Sequence, residues 1–221
     1  MWTLALETTS PHGSVALLAD ERVQTVVPLE AREYAVSLFQ AVEAVLGDAG
    51  LKIQDIGLFA VADGPGSFTG VRVGLTAVKG WIEVLGQPAA PVSTLRAAAV
   101  AAGVPASTAV MVALDASRGE VYYGVYGQSA GQGAEDAVEG IEPLTAFAAR
   151  RAAAIGWRAV TPDASVAAQI PGMDKAPALL APAVGQLGLA AWRRGASVDA
   201  LRLDARYIRR PDAALPAAAR R

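Results

Sequence analysis

The chain has 221 residues, 53% of them hydrophobic, and 19 basic against 21 acidic side chains give a net charge of −2. A chain of this length buries roughly 70% of its unfolded surface, enough for one domain or two small lobes without a disulfide or a structural metal. With no cysteine and a single histidine, His12, thiolate metal sites, cysteine nucleophiles and imidazole pairs are excluded, and the charge balance excludes an overall basic nucleic-acid binder.

The N-terminus, MWTLALETT, carries Glu7 where a secretory signal would be basic and then apolar, so Met1 is expected to be the mature start. TLALETT and GSVALLAD read as two strands joined by a turn around SPHG, and RVQTVVP extends the meander. A helix fits Glu33 to Leu46, with Leu38, Val42, Val45 and Leu46 on one face. IGLFAVA is a continuous apolar run of the kind buried on both faces of a sheet. A second helix runs from about Thr69 to Leu85, and AAPVST leads from a strand into a third helix capped by Ser93 or Thr94. The longest uncharged span, Ala97 to Leu114, is interrupted by Gly103, Pro105, Ser107 and Thr108 and reads as helix, turn and strand, with no membrane crossing.

The pattern then repeats. LALETTSPHGSVALL from Leu4 and VALDASRGEVYYGVY from Val112 share strand, acid, polar turn, glycine and strand, with Glu7 answering Asp115 and Gly13 answering Gly119. A repeat at half the chain length, each copy opening on a meander, is the organisation of the actin-like ATPase (sugar kinase/Hsp70, ASKHA) fold. The expected architecture is therefore α/β with two duplicated lobes: residues 1–103, carrying the main helices, and a smaller, degenerate lobe at 104–221. The polar insertion from Gly131 to Gly140 loosens the second copy. The segment from Trp192 to Arg221 holds eight arginines against Asp199, Asp204 and Asp212, a solvated end or a surface that meets phosphates.

GPGSFTGVRVGL, Gly64 to Leu75, joins strand to helix. It lacks the Gly-Lys-Ser/Thr ending of a phosphate loop, and Thr69 stands where a dinucleotide fingerprint has its third glycine. Gly66, Gly70 and Gly74 are four apart and form a groove without β-carbons, which admits another backbone at short range. That backbone belongs either to the chain's own sheet or to a partner. The helix is also apolar at Val71, Val73, Leu75, Val78, Trp81 and Ile82, and the first helix has Tyr34, Val36 and Phe39 off its main stripe. Helices apolar on more than one face favour a subunit interface, here Tyr34, Leu38, Phe39, Gly66, Phe68, Gly70, Val71, Gly74 and Val78.

LALETTSPHGSVAL, GPGSFTGVRVGLTAVKG, VSTLRAAA and ALDASRGEVYYGVY resemble, in order and spacing, the motifs of the bacterial TsaB (YeaZ) family. The resemblance covers Met1 to about Gly127 and returns at ARYIRRPDA. It implies a cytoplasmic dimerisation subunit of the complex that makes threonylcarbamoyladenosine on the anticodon-loop adenosine of tRNAs reading ANN codons. It also implies the transferase TsaD and the ATPase TsaE as partners and a contact surface on the first two helices. Because an apolar surface left in water costs about 25 cal/mol per Å², a homodimer through the same face is expected when the partner is missing. Tyr34 stands where the family often has a histidine.

An independent catalytic role has little support in the residues. Glu7 and Asp115, with Thr8 and Thr9, would flank a vestigial interlobe cleft where weak ATP or ADP–Mg binding is conceivable, although such acids more often cap turns. No metal or other cofactor is required by this reading. His12 lies in a hairpin turn, which argues against a serine peptidase. The rival is a self-sufficient kinase or ATPase of the same fold.

Overall fold

A computed structural model describes residues 1–30, 33–104, 108–127 and 137–209. Most of the Gly131–Gly140 insertion and the arginine-rich tail beyond Arg209 lie outside the described residues. The first half runs β1 (Trp2–Glu7), β2 (Ser14–Ala19), β3 (Arg22–Pro28), α1 (Tyr34–Asp48), β4 (Leu58–Gly64), α2 (Phe68–Leu85), β5 (Ala89–Ser93) and α3 (Thr94–Ala101). The second runs β6 (Val110–Asp115), β7 (Glu120–Tyr126), β8 (Val138–Pro143), α4 (Leu144–Ala153), β9 (Arg158–Thr161), α5 (Ala164–Gln169), β10 (Asp174–Lys175) and α6 (Ala181–Arg193).

The duplication is literal in the topology. The first sheet is ordered β3-β2-β1-β4-β5 and the second, read from its other edge, β8-β7-β6-β9-β10. In each, the opening strand pairs antiparallel with the next and parallel with the fourth. This is the two-lobed actin-like ATPase architecture, and the second lobe is the reduced one, with a two-residue β10 and a six-residue α5. The matched glycines of the two hairpins do different work. Gly13 lies against the Tyr34 ring, which a β-carbon would strike, whereas Gly119 sits at φ +74°, a left-handed turn that glycine adopts at no steric cost.

Period-two alternation splits each sheet between two cores. In the first sheet, Leu4, Leu6, Val15, Leu17, Phe59 and Val61 face α1 and α2, while Ala5, Ala16, Leu18, Ala60 and Ala62 face the other way. In the second, Met111, Ala113 and Val121 pack under Phe147 of α4 and Val166 of α5, while Val110, Val112, Leu114 and Tyr126 turn toward the first lobe. Between the sheets, α3 and α6 share one core with both inner faces. The alanine-rich face of the first sheet lets α6 approach closely, and Ser93 closes the start of α3 by accepting from the Arg96 amide at 3.3 Å.

Helix α6 approaches the sheet closely at Gly188, where an added β-carbon would stand 2.5 Å from Ala60 Cβ and 3.3 Å from Ala90 Cβ. Gly188→Val is therefore expected to cost about 2 kcal/mol by overpacking, a fall in Tm of roughly 5 °C for a chain of this size. An unchanged melting curve would show that α6 is not pressed onto the sheet.

Candidate functional site

The glycine row is filled from inside. A β-carbon on Gly70 would collide with the Thr8 carbonyl oxygen, one on Gly66 with the Thr9 carbonyl oxygen, and one on Gly74 would lie 2.5 Å from Thr8 Oγ1. Thr8 Oγ1 donates to the Gly70 carbonyl at 2.7 Å, and the Ser67 amide donates to Thr9 O at 2.7 Å. This corrects the expectation that a neighbouring chain fills the groove: the end of β1 and its turn occupy it. Gly70 and Gly74, with Val71, Val78 and Leu38, are buried in the chain's own core, so they present no surface to a partner, and Gly66, half-buried, lines the interlobe cleft. The spacing announced a close approach but carried no sign of which backbone makes it.

The outward face of α2 is a different stripe. Thr69, Arg72, Val73, Thr76, Ala77 and Gly80 line a groove of about 620 Å³ with Trp81, Phe68, and Ala35 and Phe39 of α1. Phe39 and Val36 are 49% and 55% exposed, large apolar side chains left in water. Phe39 stands edge-on to Trp81 at 6.0 Å between ring centroids, and Trp81 stacks inward on Phe59 at 5.6 Å. Nothing lies within 4 Å of a β-carbon built on Gly80, so the groove is open there. Of the expected interface residues, Phe39 and Phe68 line this groove. Tyr34 turns to the β1–β2 turn, where its hydroxyl accepts from the Gly13 amide at 3.0 Å and donates to the Ser10 carbonyl, fixing where α1 begins. The small stripe Thr69, Val73, Thr76, Ala77 and Gly80 was legible at helical spacing but was masked by the more conspicuous glycines.

A cleft of about 910 Å³ separates the lobes above this region. Glu7 does not face it. Its Oε1 accepts from the Thr9 amide at 2.5 Å, Thr9 Oγ1 at 2.7 Å and the Ser10 amide at 2.9 Å, and its Oε2 accepts from Ser10 Oγ at 2.7 Å. The buried carboxylate caps its own turn, and Thr9 Oγ1 hydrogen-bonds Thr94 Oγ1 at 2.8 Å. Thr8 is committed to α2. The pairing of Glu7 with Asp115 across the cleft is therefore not made. Asp115 does line the cleft, beside Asp163, whose Oδ2 accepts from the Asp115 amide at 2.7 Å. Burial pushes the Asp163 carboxyl above the usual carboxylate range. Among the described residues, no cluster of three or more His, Asp or Glu side chains could hold a metal ion.

A second polar group had no sequence signal. Asp63, at the end of β4, has a side chain only 7% exposed and pairs with Arg206 at 3.3 Å; Arg206 also stands 3.6 Å from Glu139 Oε2. Glu139 Oε1 accepts from Ser93 Oγ at 2.5 Å and Tyr126 OH at 2.7 Å. One arginine from the C-terminal segment thus joins acids of both lobes. Burial raises the Asp63 carboxyl above its ordinary pKa, and the Arg206 charge opposes this only in part.

A protein-family model described as TsaD, tRNA N6-adenosine threonylcarbamoyltransferase, matches residues 18–168. The Escherichia coli K12 tRNA threonylcarbamoyladenosine biosynthesis protein TsaB is 37% identical over 127 residues, 57% of this chain and 55% of that protein. The chain thus spans about half the length of the curated relatives it matches. YeaZ from Pseudomonas aeruginosa superposes with a TM-score of 0.76 at 29% identity, over 93% of this chain and 99% of that one. Component A of (R)-2-hydroxyglutaryl-CoA dehydratase from Acidaminococcus fermentans, at 10% identity and a TM-score of 0.52 over 89% and 99% of the two chains, shares the fold alone.

The raised Asp63 pKa has a readable consequence. The folded state takes up this proton at higher pH than the unfolded chain, so the stability it contributes is complete below the ordinary carboxylate pKa and is lost as pH rises through the raised value. Relative to Asp63→Asn, the wild-type protein is expected to gain in Tm as pH falls from about 7 to about 4. A Tm difference that stays constant or moves the other way would contradict the assignment.

Proposed function

Since the chain belongs to the TsaD (tRNA N6-adenosine threonylcarbamoyltransferase) family, among its TsaB (YeaZ) relatives, we propose that it is a cytoplasmic, non-catalytic dimerisation subunit that docks a TsaD-type transferase on the outward face of α1 and α2. In this role it works with TsaD and a TsaE-type ATPase in transferring the threonylcarbamoyl group to N6 of the adenosine next to the anticodon in tRNAs reading ANN codons. The observation that carries the reading is the open apolar groove between the two helices, with Phe39, Phe68 and Trp81 at its walls and small residues at its floor. A homologous subunit on the same fold presents an equivalent helix pair, so two such faces pair about a local twofold axis. Exposed apolar surface costs about 25 cal/mol per Å², and in the absence of the transferase a second copy of this chain covers it as a homodimer.

The cleft supports the non-catalytic part of the proposal. Glu7 is spent on its own turn, and the Ser67 amide, at the N-terminus of α2 where an anion would bind, is taken by Thr9 O. The protein is proposed to need no cofactor, and the self-sufficient kinase or ATPase gains no specific support. No helix among the described residues is long and apolar enough to cross a membrane.

The test contrasts two positions on α2. Gly70→Leu is expected to lose stability because Thr8 O occupies the space, so any loss of binding with it reports unfolding. Thr76→Arg, exposed at the groove, is expected to melt like the wild type while its Kd for the cognate transferase rises about a hundredfold, because a charge is buried without a partner. Undiminished affinity of a folded Thr76→Arg protein, measured by calorimetry, would refute the placement of the docking face.

A further inference from the structure

The chain does not stop at α6. Beyond it, a segment from Val198 to Arg209 crosses both lobes. Val198 and Ala89 exchange backbone hydrogen bonds of 2.7 and 2.9 Å, so the segment begins as a cover on the β5 edge of the first sheet. Leu203 is fully buried in the core under α1 and α2. The Arg206 amide donates to the Asp63 carbonyl at 2.8 Å, and its guanidinium joins Asp63 and Glu139 from opposite lobes. Arg209 then donates to the Ala116 carbonyl at 2.7 Å and pairs with Glu120, both on the β6–β7 hairpin of the second lobe.

Tyr207 lies between these two anchors. Its ring sits 5.3 Å from that of Phe68, and the Arg72 guanidinium covers Phe68 at 3.8 Å while its Nε donates to the Tyr207 hydroxyl at 3.3 Å. Phe68 and Arg72 line both the interlobe cleft and the α1–α2 groove, whereas Tyr207 lines the cleft alone. Phe68 is also the first residue of α2, where no preceding helical turn restrains it. Its position as the end wall of the groove therefore depends on the ring behind it.

We infer that residues Val198–Arg209 form a clasp across the two lobes, and that Tyr207 is a positioning residue through which the clasp holds Phe68 and Arg72 in the docking-competent arrangement. The clasp and the docking face are then linked thermodynamically. A partner that binds the face with Phe68 in place also stabilises the engaged clasp, and the coupling is the same in both directions. Tyr207 joins the clasp to the groove wall through its ring on Phe68 and its hydroxyl on Arg72, so it is the point at which the link is tested. The inference rests on the docking reading above, with the transferase as the occupant of the face.

The experiment measures the Kd of the cognate TsaD-type transferase for the full-length wild type, Tyr207→Ala, Tyr207→Phe and Thr76→Arg, alongside hydrogen exchange at the Arg206 amide with and without the transferase. Tyr207 is 42% exposed, so Tyr207→Ala is expected to fold. Its Kd is expected to rise about three- to tenfold, the worth of one aromatic pair. Tyr207→Phe, which keeps the ring against Phe68 and loses only the hydroxyl bonded by Arg72, is expected to recover most of the affinity that Tyr207→Ala loses. Transferase binding is expected to slow exchange at the Arg206 amide. An unchanged Kd for Tyr207→Ala, or exchange at Arg206 that the partner leaves unaltered, overturns the inference if Thr76→Arg has lost binding as expected. Full binding by Thr76→Arg instead overturns the docking face itself, and the clasp's role with it.

Discussion

The carbonyl oxygens of Thr8 and Thr9 and the Thr8 hydroxyl come so close to the start of α2 and the loop before it that positions 66, 70 and 74 have no room for a β-carbon. A glycine in a helix interior costs about 1 kcal/mol against alanine. The hydrogen bond from Thr8 Oγ1 to Gly70 O and the burial of Val71, Leu75, Val78 and Ile82 offset that cost. The same approach fixes the rotation of α2 about its own axis. With the glycine side turned to β1, the stripe from Thr69 to Gly80 must face outward, and the groove beside α1 follows. It also draws the β1–β2 turn into a compact, self-satisfied loop, with both oxygens of Glu7 bonded within it. A turn so occupied has little left to offer a nucleotide.

The two lobes are held as one body by different means on different levels. Between the sheets, the shared core around α3 and α6 is apolar and continuous. At the cleft end, the Asp63–Arg206–Glu139 group adds a polar junction in which a half-exposed arginine bridges two buried carboxylates, closed from behind by Ser93 and Tyr126. Burying the two acids is expensive unless each is paired, and such groups favour one arrangement over its neighbours more than they add stability. The proposed role, in which a fixed helical face is presented to a partner, is compatible with such a junction.

Much of this was readable from the chain. The hairpin repeat gave the duplicated topology because strand, acid, turn and glycine recur in the same order, and the β-sheet orders match it strand for strand. Glu7 caps its own turn, as such acids more often do, because an acid directly before the run Thr8-Thr9-Ser10 is well placed to accept from its hydroxyls and amides. The glycine row, read as a contact with a neighbouring chain, turns out to face the chain's own β1 turn: glycine spacing says that something comes close, but whether it is near in sequence or in another molecule is not written in the spacing. The Arg206–Asp63 pair was out of reach altogether, since its members are 143 positions apart and neither belongs to a local pattern.

Because the chain contains no cysteine, a single Thr76→Cys substitution creates a unique attachment point in the middle of the proposed face. With a short photo-crosslinker there, the cognate TsaD-type transferase should be captured in high yield, while the same probe at Arg158→Cys, on β9 of the second lobe, should capture none. Capture from position 158 with none from position 76 would mean that the open groove of α1 and α2 is not where this protein meets its partner.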